Sequence, residues 1–155
     1  MRAIIASLDR YLIPCCRINS TPFARIALFI IFFWFGLLKV LGESPADTLV
    51  TELLARTLPT LDGSTFLKIF GVFEMVLGTA FLFRGIERLV IPALLFHLTL
   101  ASLPLVLLPA LTWSAPFTPT LAGQYIIKNI ALAALAVAIA SGLEPLCPPA
   151  QTTKQ

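Results

Sequence analysis

Apolar residues in this chain come in four long, nearly unbroken runs, at 23–41, 66–83, 89–108 and 124–140. Such runs lack the period of a half-buried strand or surface helix. A bilayer core about 30 Å thick needs roughly 20 apolar residues in helical form, so each run predicts a transmembrane helix. The expected fold is all-α, an integral membrane four-helix bundle forming one domain over 1–155. Two other stretches are amphipathic. In 2–13, Ile4, Ile5, Leu8, Tyr11 and Leu12 fall at helical spacing with Arg2, Asp9 and Arg10 elsewhere on the wheel, until Pro14 ends the pattern. In 45–58, Leu49, Val50, Leu53, Leu54 and Leu58 line one face; Thr48, Thr51, Glu52 and Arg56 line the other. Ser44 is placed to cap this second helix and Pro59 to stop it. Both stretches predict short helices lying in the membrane interface. Asp9 and Arg10 would interrupt the apolar core of a signal peptide, so the first is expected to be retained. The proline-containing tail, 143–155, is expected to be flexible.

Small and ionisable residues inside the runs carry the next layer of information. Helices in lipid pack where small residues let backbones approach. Gly36 in the first run, and Gly71, Gly78 and Gly85 at intervals of seven in and after the second, predict such contacts. Charged groups within a span are costly and mark candidate sites. Lys39 shares a helix face with Gly36. Glu74 lies three residues after Gly71, about 12 Å from the outer end of its run at about 1.5 Å per residue. His97 lies about 16 Å from the outer end of the third run by the same rise. The connection between these runs, 84–88, is so short that the two helices must be antiparallel neighbours, which brings Glu74 and His97 together. Lys128 and Asn129 open the fourth run, with Lys128 about 6 Å below the surface. Its stem can drop toward Glu74 or rise to water. The candidate polar site is therefore Lys39, Glu74, His97, Lys128 and Asn129.

A hydrophobic fraction of 58% with 12% charged residues, and a mean hydropathy of +0.93, exclude an ordinary soluble domain. In this setting the net charge of +3 reads as topology, not as a nucleic-acid surface. Arg2, Arg10, Arg17 and Arg25 at the start of the first run, Arg84 and Arg88 in the second connection, and Lys154 in the tail share one side. By the positive-inside rule that side is cytoplasmic and holds both termini. Cys15, Cys16 and Cys147 then meet a reducing compartment and are expected as free thiols. A single histidine excludes bis-histidine haem, and neither a phosphate-binding glycine loop nor a metal cluster is present in the sequence.

Three blocks carry a resemblance: Phe33-Trp34-Phe35-Gly36-Leu37-Leu38-Lys39, Gly71-Val72-Phe73-Glu74-Met75-Val76-Leu77-Gly78, and the segment from Gly123 to Asn129. In this order they resemble the DoxX-like superfamily of small four-span membrane proteins, including the branch called YkgB or RclC. The resemblance implies a four-helix bundle in the bacterial inner membrane and an association with thiosulfate to quinone oxidoreductase systems, with thiol and oxidative stress, and with resistance to reactive chlorine. It places the family's motif positions at Gly36, Lys39, Glu74, Lys128 and Asn129. It does not by itself fix a reaction.

Three functions remain open at this level. The polar cluster can bind a quinone headgroup or a small anion, or relay a proton between Glu74 and His97, histidine being the side chain that changes charge near neutrality. This would make the chain a component of a quinone-linked oxidoreductase. Alternatively the charges lock helix register, and the chain anchors a redox enzyme partner without catalysing anything itself. Transport by a homo-oligomer is the third reading, against which stands the lack of a visible inverted repeat or broken helix pair.

Overall fold

The computed structural model describes residues 2–144 and 146, with the side chains of 9–144 and 146. The remainder of the expected flexible tail, including Cys147 and Lys154, and the side chains of Arg2, Ile4, Ile5 and Leu8 lie outside the described residues. The chain is mostly helical: α1 (Arg2–Leu41), α2 (Asp47–Thr57), α3 (Gly63–Ala80), α4 (Glu87–Ala101), α5 (Pro104–Leu107), α6 (Pro109–Thr112), α7 (Leu121–Ile127) and α8 (Asn129–Ala140). Between α6 and α7 a small antiparallel hairpin pairs β1 (Trp113–Ala115) with β2 (Thr118–Pro119).

Four helical stretches are long and apolar enough to cross a membrane: Asp9–Leu41, Gly63–Ala80, Glu87–Leu107 and Leu121–Ala140. Their outward faces carry Ile30, Trp34, Val76, Phe96, Val106 and Ile130, each more than half exposed. Such a surface suits contact with a lipid bilayer, where helices satisfy their own backbone groups.

The first correction to the sequence reading concerns α1. Proline at 14 ends no helix, and no separate span begins at Phe23; one helix runs through Pro14 and Pro22. Each proline removes a backbone donor, at a cost of about 3 kcal/mol or more in a helix interior. Helix on both sides needs no fresh nucleation, however, and this favours continuing through the interruption. Between the prolines, Asn19 Nδ2 donates to the Cys15 carbonyl at 3.0 Å and Ser20 Oγ to the Arg17 carbonyl at 3.3 Å. Residues 9–23 are exposed along their whole length, and packing starts only at Ala24 and Arg25.

Packing is tightest between α1 and α3, which run antiparallel. A Cβ placed on Gly36 would lie 2.5 Å from the Gly71 carbonyl oxygen, and one on Gly71 would lie 2.5 Å from the Gly36 carbonyl oxygen. Two turns along, a Cβ on Gly78 would meet Phe32 and Phe33 at 3.0 Å. Gly85 does not extend this stripe. It sits at φ +97° in the turn to α4 with open space around it, so its freedom serves the turn. α8 packs against both α4 and α1. Leu28, Phe32, Leu77, Phe81, Leu94, Leu98, Ala136 and Ile139 fill the space enclosed by these four helices.

The third and fourth spans are both interrupted, contrary to the expectation of unbroken helices. Pro104 has no N–H, and the turn before it tightens: Ser102 N bonds Thr99 O and Leu103 N bonds Leu100 O, both at 3.1 Å. Lys128 separates α7 from α8.

At this same end α2 rests on α3 and α5, and Arg56 Nη1 donates to the Leu107 carbonyl at 3.2 Å. Ser44 does not cap α2. Its hydroxyl accepts from Ala46 N at 3.1 Å, closing the turn that precedes a helix beginning at Asp47. Asp62 caps α3 by accepting from Thr65 N at 2.8 Å. That amide, with the Ser64 hydroxyl beside it, holds the Asp62 carboxyl below the usual aspartate range. The segment between α5 and α7 is ordered by the buried Thr112. Its carbonyl accepts from Thr120 N at 2.9 Å and leaves no room for a side chain at Gly123. Trp113 Nε1 donates to the Leu105 carbonyl at 3.0 Å, while Phe117 stands 97% exposed at the hairpin tip.

Candidate functional site

The α1–α3 glycine contact builds the site. Lys39 and Glu74 each lie three residues after a contact glycine, and helical side chains lean toward their own N-terminus. Because the helices are antiparallel, these two side chains lean toward each other. The Lys39 stem starts hard against Gly71, whose added Cβ would lie 2.9 Å from Lys39 Cβ. Lys39 Nζ ends 2.6 Å from Glu74 Oε2. The second carboxylate oxygen faces α4, where His97 Nε2 lies 3.2 Å from Glu74 Oε1. Lys39, Glu74 and His97 are 7%, 5% and 4% exposed, so all three groups are enclosed by protein.

Aromatic rings surround the histidine. Phe70 stacks on the imidazole at 4.9 Å between centroids, Phe32 meets it edge-on at 5.6 Å, and Phe73 tilts against it at 5.8 Å. Phe70 also lies 5.7 Å from Lys39 Nζ, within reach of a cation–π interaction. Phe73, 42% exposed, forms the outer wall. Charge bookkeeping follows from these contacts. Glu74 bonded to an ammonium is a carboxylate and only accepts, so His97 Nε2 carries the proton between them. His97 Nδ1 is buried without a hydrogen-bond partner.

The structure does not bring Lys128 and Asn129 to this group. Lys128 is exposed and lies over the Tyr125 ring at 4.9 Å. Asn129 borders a separate open groove of about 210 Å³ between α4 and α8, with Leu95, Leu98, Thr99, Ser102, Ile130 and Ala133. The Thr99 and Ser102 hydroxyls turn back to the carbonyls of Leu95 and Leu98.

A second buried charge cluster is absent from the sequence reading, which counts Arg25 only toward topology. Arg25 Nη1 donates to the Phe81 carbonyl at 3.1 Å and the Phe83 carbonyl at 3.2 Å, while Nη2 bonds Glu87 Oε1. Glu87 Oε2 in turn accepts from Gly85 N at 2.6 Å. This clasp holds the α3–α4 turn onto the start of the packed part of α1. Its only sequence signal is an arginine just inside an apolar run and a glutamate at the mouth of another.

No family model matches the chain, and no curated protein or solved structure matches it.

Proposed function

We propose that this chain is a multi-pass protein of the bacterial inner membrane, with cytoplasmic termini, that supports membrane-linked redox chemistry and resistance to oxidative or thiol stress. In this reading the four spans form a bundle, and Lys39, Glu74 and His97 form a proton-handling site that receives a quinone or a small anion. The resemblance to DoxX-like proteins supplies the redox setting. The observation that supports a site is the sharing of one buried carboxylate between a lysine and a histidine that keeps a ring nitrogen open. A purely structural ion pair needs no third member, and a buried unpartnered nitrogen carries a free-energy cost.

The experiment is purification in a native-lipid disc followed by extraction and identification of bound quinone, with Glu74→Gln as the control. Retention of quinone by the wild type and its loss in a folded Glu74→Gln protein is the expected result. Absence of quinone from both, with unaltered stress resistance of cells carrying the variant, overturns it.

A second reading has one observation on its side: the Lys39–Glu74 pair grows from the tightest backbone contact in the fold. Buried pairs can fix register, and a rigid α1–α3 unit would serve as a membrane anchor for a redox enzyme. In that case Glu74→Gln lowers stability and leaves bound quinone and cellular resistance unchanged.

A further inference from the structure

We infer that the open nitrogen of His97 is the recognition atom of the site and that it selects a ligand presenting an O–H donor, a phenol or hydroquinone hydroxyl, over one presenting only carbonyl or ether oxygen. The inference rests on reading this cluster as a ligand site and names the chemistry of what enters it. Four observations lead there. Glu74 is committed to Lys39 at 2.6 Å and so only accepts. His97 Nε2, 3.2 Å from Glu74 Oε1, is thereby fixed as the donor. In the neutral ring Nδ1 then holds a lone pair and no hydrogen, and it is buried with no partner. Phe32, Phe70 and Phe73 supply apolar ring faces around it, and Phe73 is exposed on its outer side.

A lone pair is satisfied by a donor. A quinone carbonyl is an acceptor and would face Nδ1 lone pair to lone pair, whereas a hydroxyl on an aromatic ring both bonds Nδ1 and packs against the phenylalanines. The Lys39 ammonium bonds Glu74 Oε2 and keeps further N–H donors, so the preference for an O–H donor is a property of Nδ1 alone. In this tautomer Nδ1 itself offers a lone pair and no hydrogen, so a carboxylate or oxyanion finds nothing to accept from at this nitrogen. Entry is lateral, past Phe73, from the apolar side on which that ring is exposed.

The chain contains a single histidine, so uniform labelling with ¹⁵N-histidine reports on this ring alone. The test uses full-length protein in lipid discs, purified through a histidine-free tag, titrated with 4-ethylphenol and separately with its methyl ether, 4-ethylanisole. The expected spectrum shows Nε2 protonated and Nδ1 not. The Nδ1 resonance moves saturably with the phenol, and the ether needs at least a tenfold higher concentration to match it. A Phe73→Ala variant, with its wall removed, responds to the phenol with a midpoint shifted at least threefold. A protonated Nδ1 in the unliganded protein overturns the inference, as does an equal response to phenol and ether or no response to either. If Nδ1 is silent while quinone still co-purifies, the inference falls and the redox reading stands. A phenol response without any co-purifying quinone keeps the inference and removes the quinone.

Discussion

The two buried charge clusters use similar chemistry to opposite ends. At the α3–α4 turn, Arg25 spends its guanidinium on Glu87 and two main-chain carbonyls, and Glu87 spends its other oxygen on Gly85 N. Only Arg25 Nε is left over there. In the middle of the α1–α3 contact, one carboxylate serves a lysine and a histidine, and the histidine keeps a nitrogen open in a sleeve of phenylalanines. The first cluster ties side chains to backbone and holds a turn. The second ties side chains only to one another, so the backbone does not depend on it. Burial of charge alone therefore does not distinguish a clasp from a site; what the remaining lone pairs and protons face does.

This contrast can be broken most severely at the clasp. Arg25→Met strands the Glu87 carboxylate and the Phe81 and Phe83 carbonyls, and is expected to cost about 3–5 kcal/mol, as loss of one partner from a buried pair does. Thermal unfolding in lipid discs measures it. Paired replacements sharpen the difference. Lys39→Met with Glu74→Leu and His97→Phe removes every polar member of the central group, and stability is expected to hold or rise by about 1–4 kcal/mol. Arg25→Met with Glu87→Leu still leaves the carbonyls and Gly85 N without partners and remains destabilised. Equal outcomes in the two sets would erase the distinction.

Gly71→Ala tests the scaffold beneath the central group. Its methyl would press on the Gly36 carbonyl oxygen, and overpacking of this kind costs about 1–3 kcal/mol. The expected signature is a lower melting temperature together with a changed His97 ¹⁵N spectrum, because the Lys39–Glu74 contact is built on that glycine. The smallest effect lies at the α3 cap, remote from both clusters. The folded Asp62 carboxyl sits below its unfolded value, so its charged form stabilises the fold above the unfolded range. That contribution is lost as pH falls through the folded value. The melting difference between wild type and Asp62→Ala should therefore narrow in acid, while the Arg25→Met difference persists at neutral pH.

Much of this arrangement is legible in the residues. Apolar run length marks the four candidate spans, and the short connection between the second and third runs makes Glu74 and His97 neighbours, because a short turn forces two helices to run back at matched depth. Gly36 and Gly71 mark the contact, since only glycine lets two carbonyl-bearing backbones close to this distance. Other features depend on tertiary context. Pro14 and Pro22 read as stops, yet a helix already formed on both sides runs through them. Lys128 reads as able to drop toward Glu74 or rise to water, and it lies instead over the Tyr125 ring. Arg25 reads as one basic residue among several because its partners are main-chain carbonyls, which leave no side-chain pattern. The phenylalanine sleeve is hidden for the same reason that apolar runs are conspicuous: where most residues are greasy, three particular rings do not stand out.

The exposed stretch of α1 at residues 9–23 has a practical consequence. Its thiols at Cys15 and Cys16 are open to reagents, and a continuous helix projects them rigidly, with no hinge residue in a non-helical conformation between label and scaffold. With Cys16 and Cys147 changed to serine, a nitroxide on Cys15 becomes a depth gauge. Its relaxation by dissolved oxygen against a water-soluble nickel chelate reads directly where the bilayer boundary crosses the molecule.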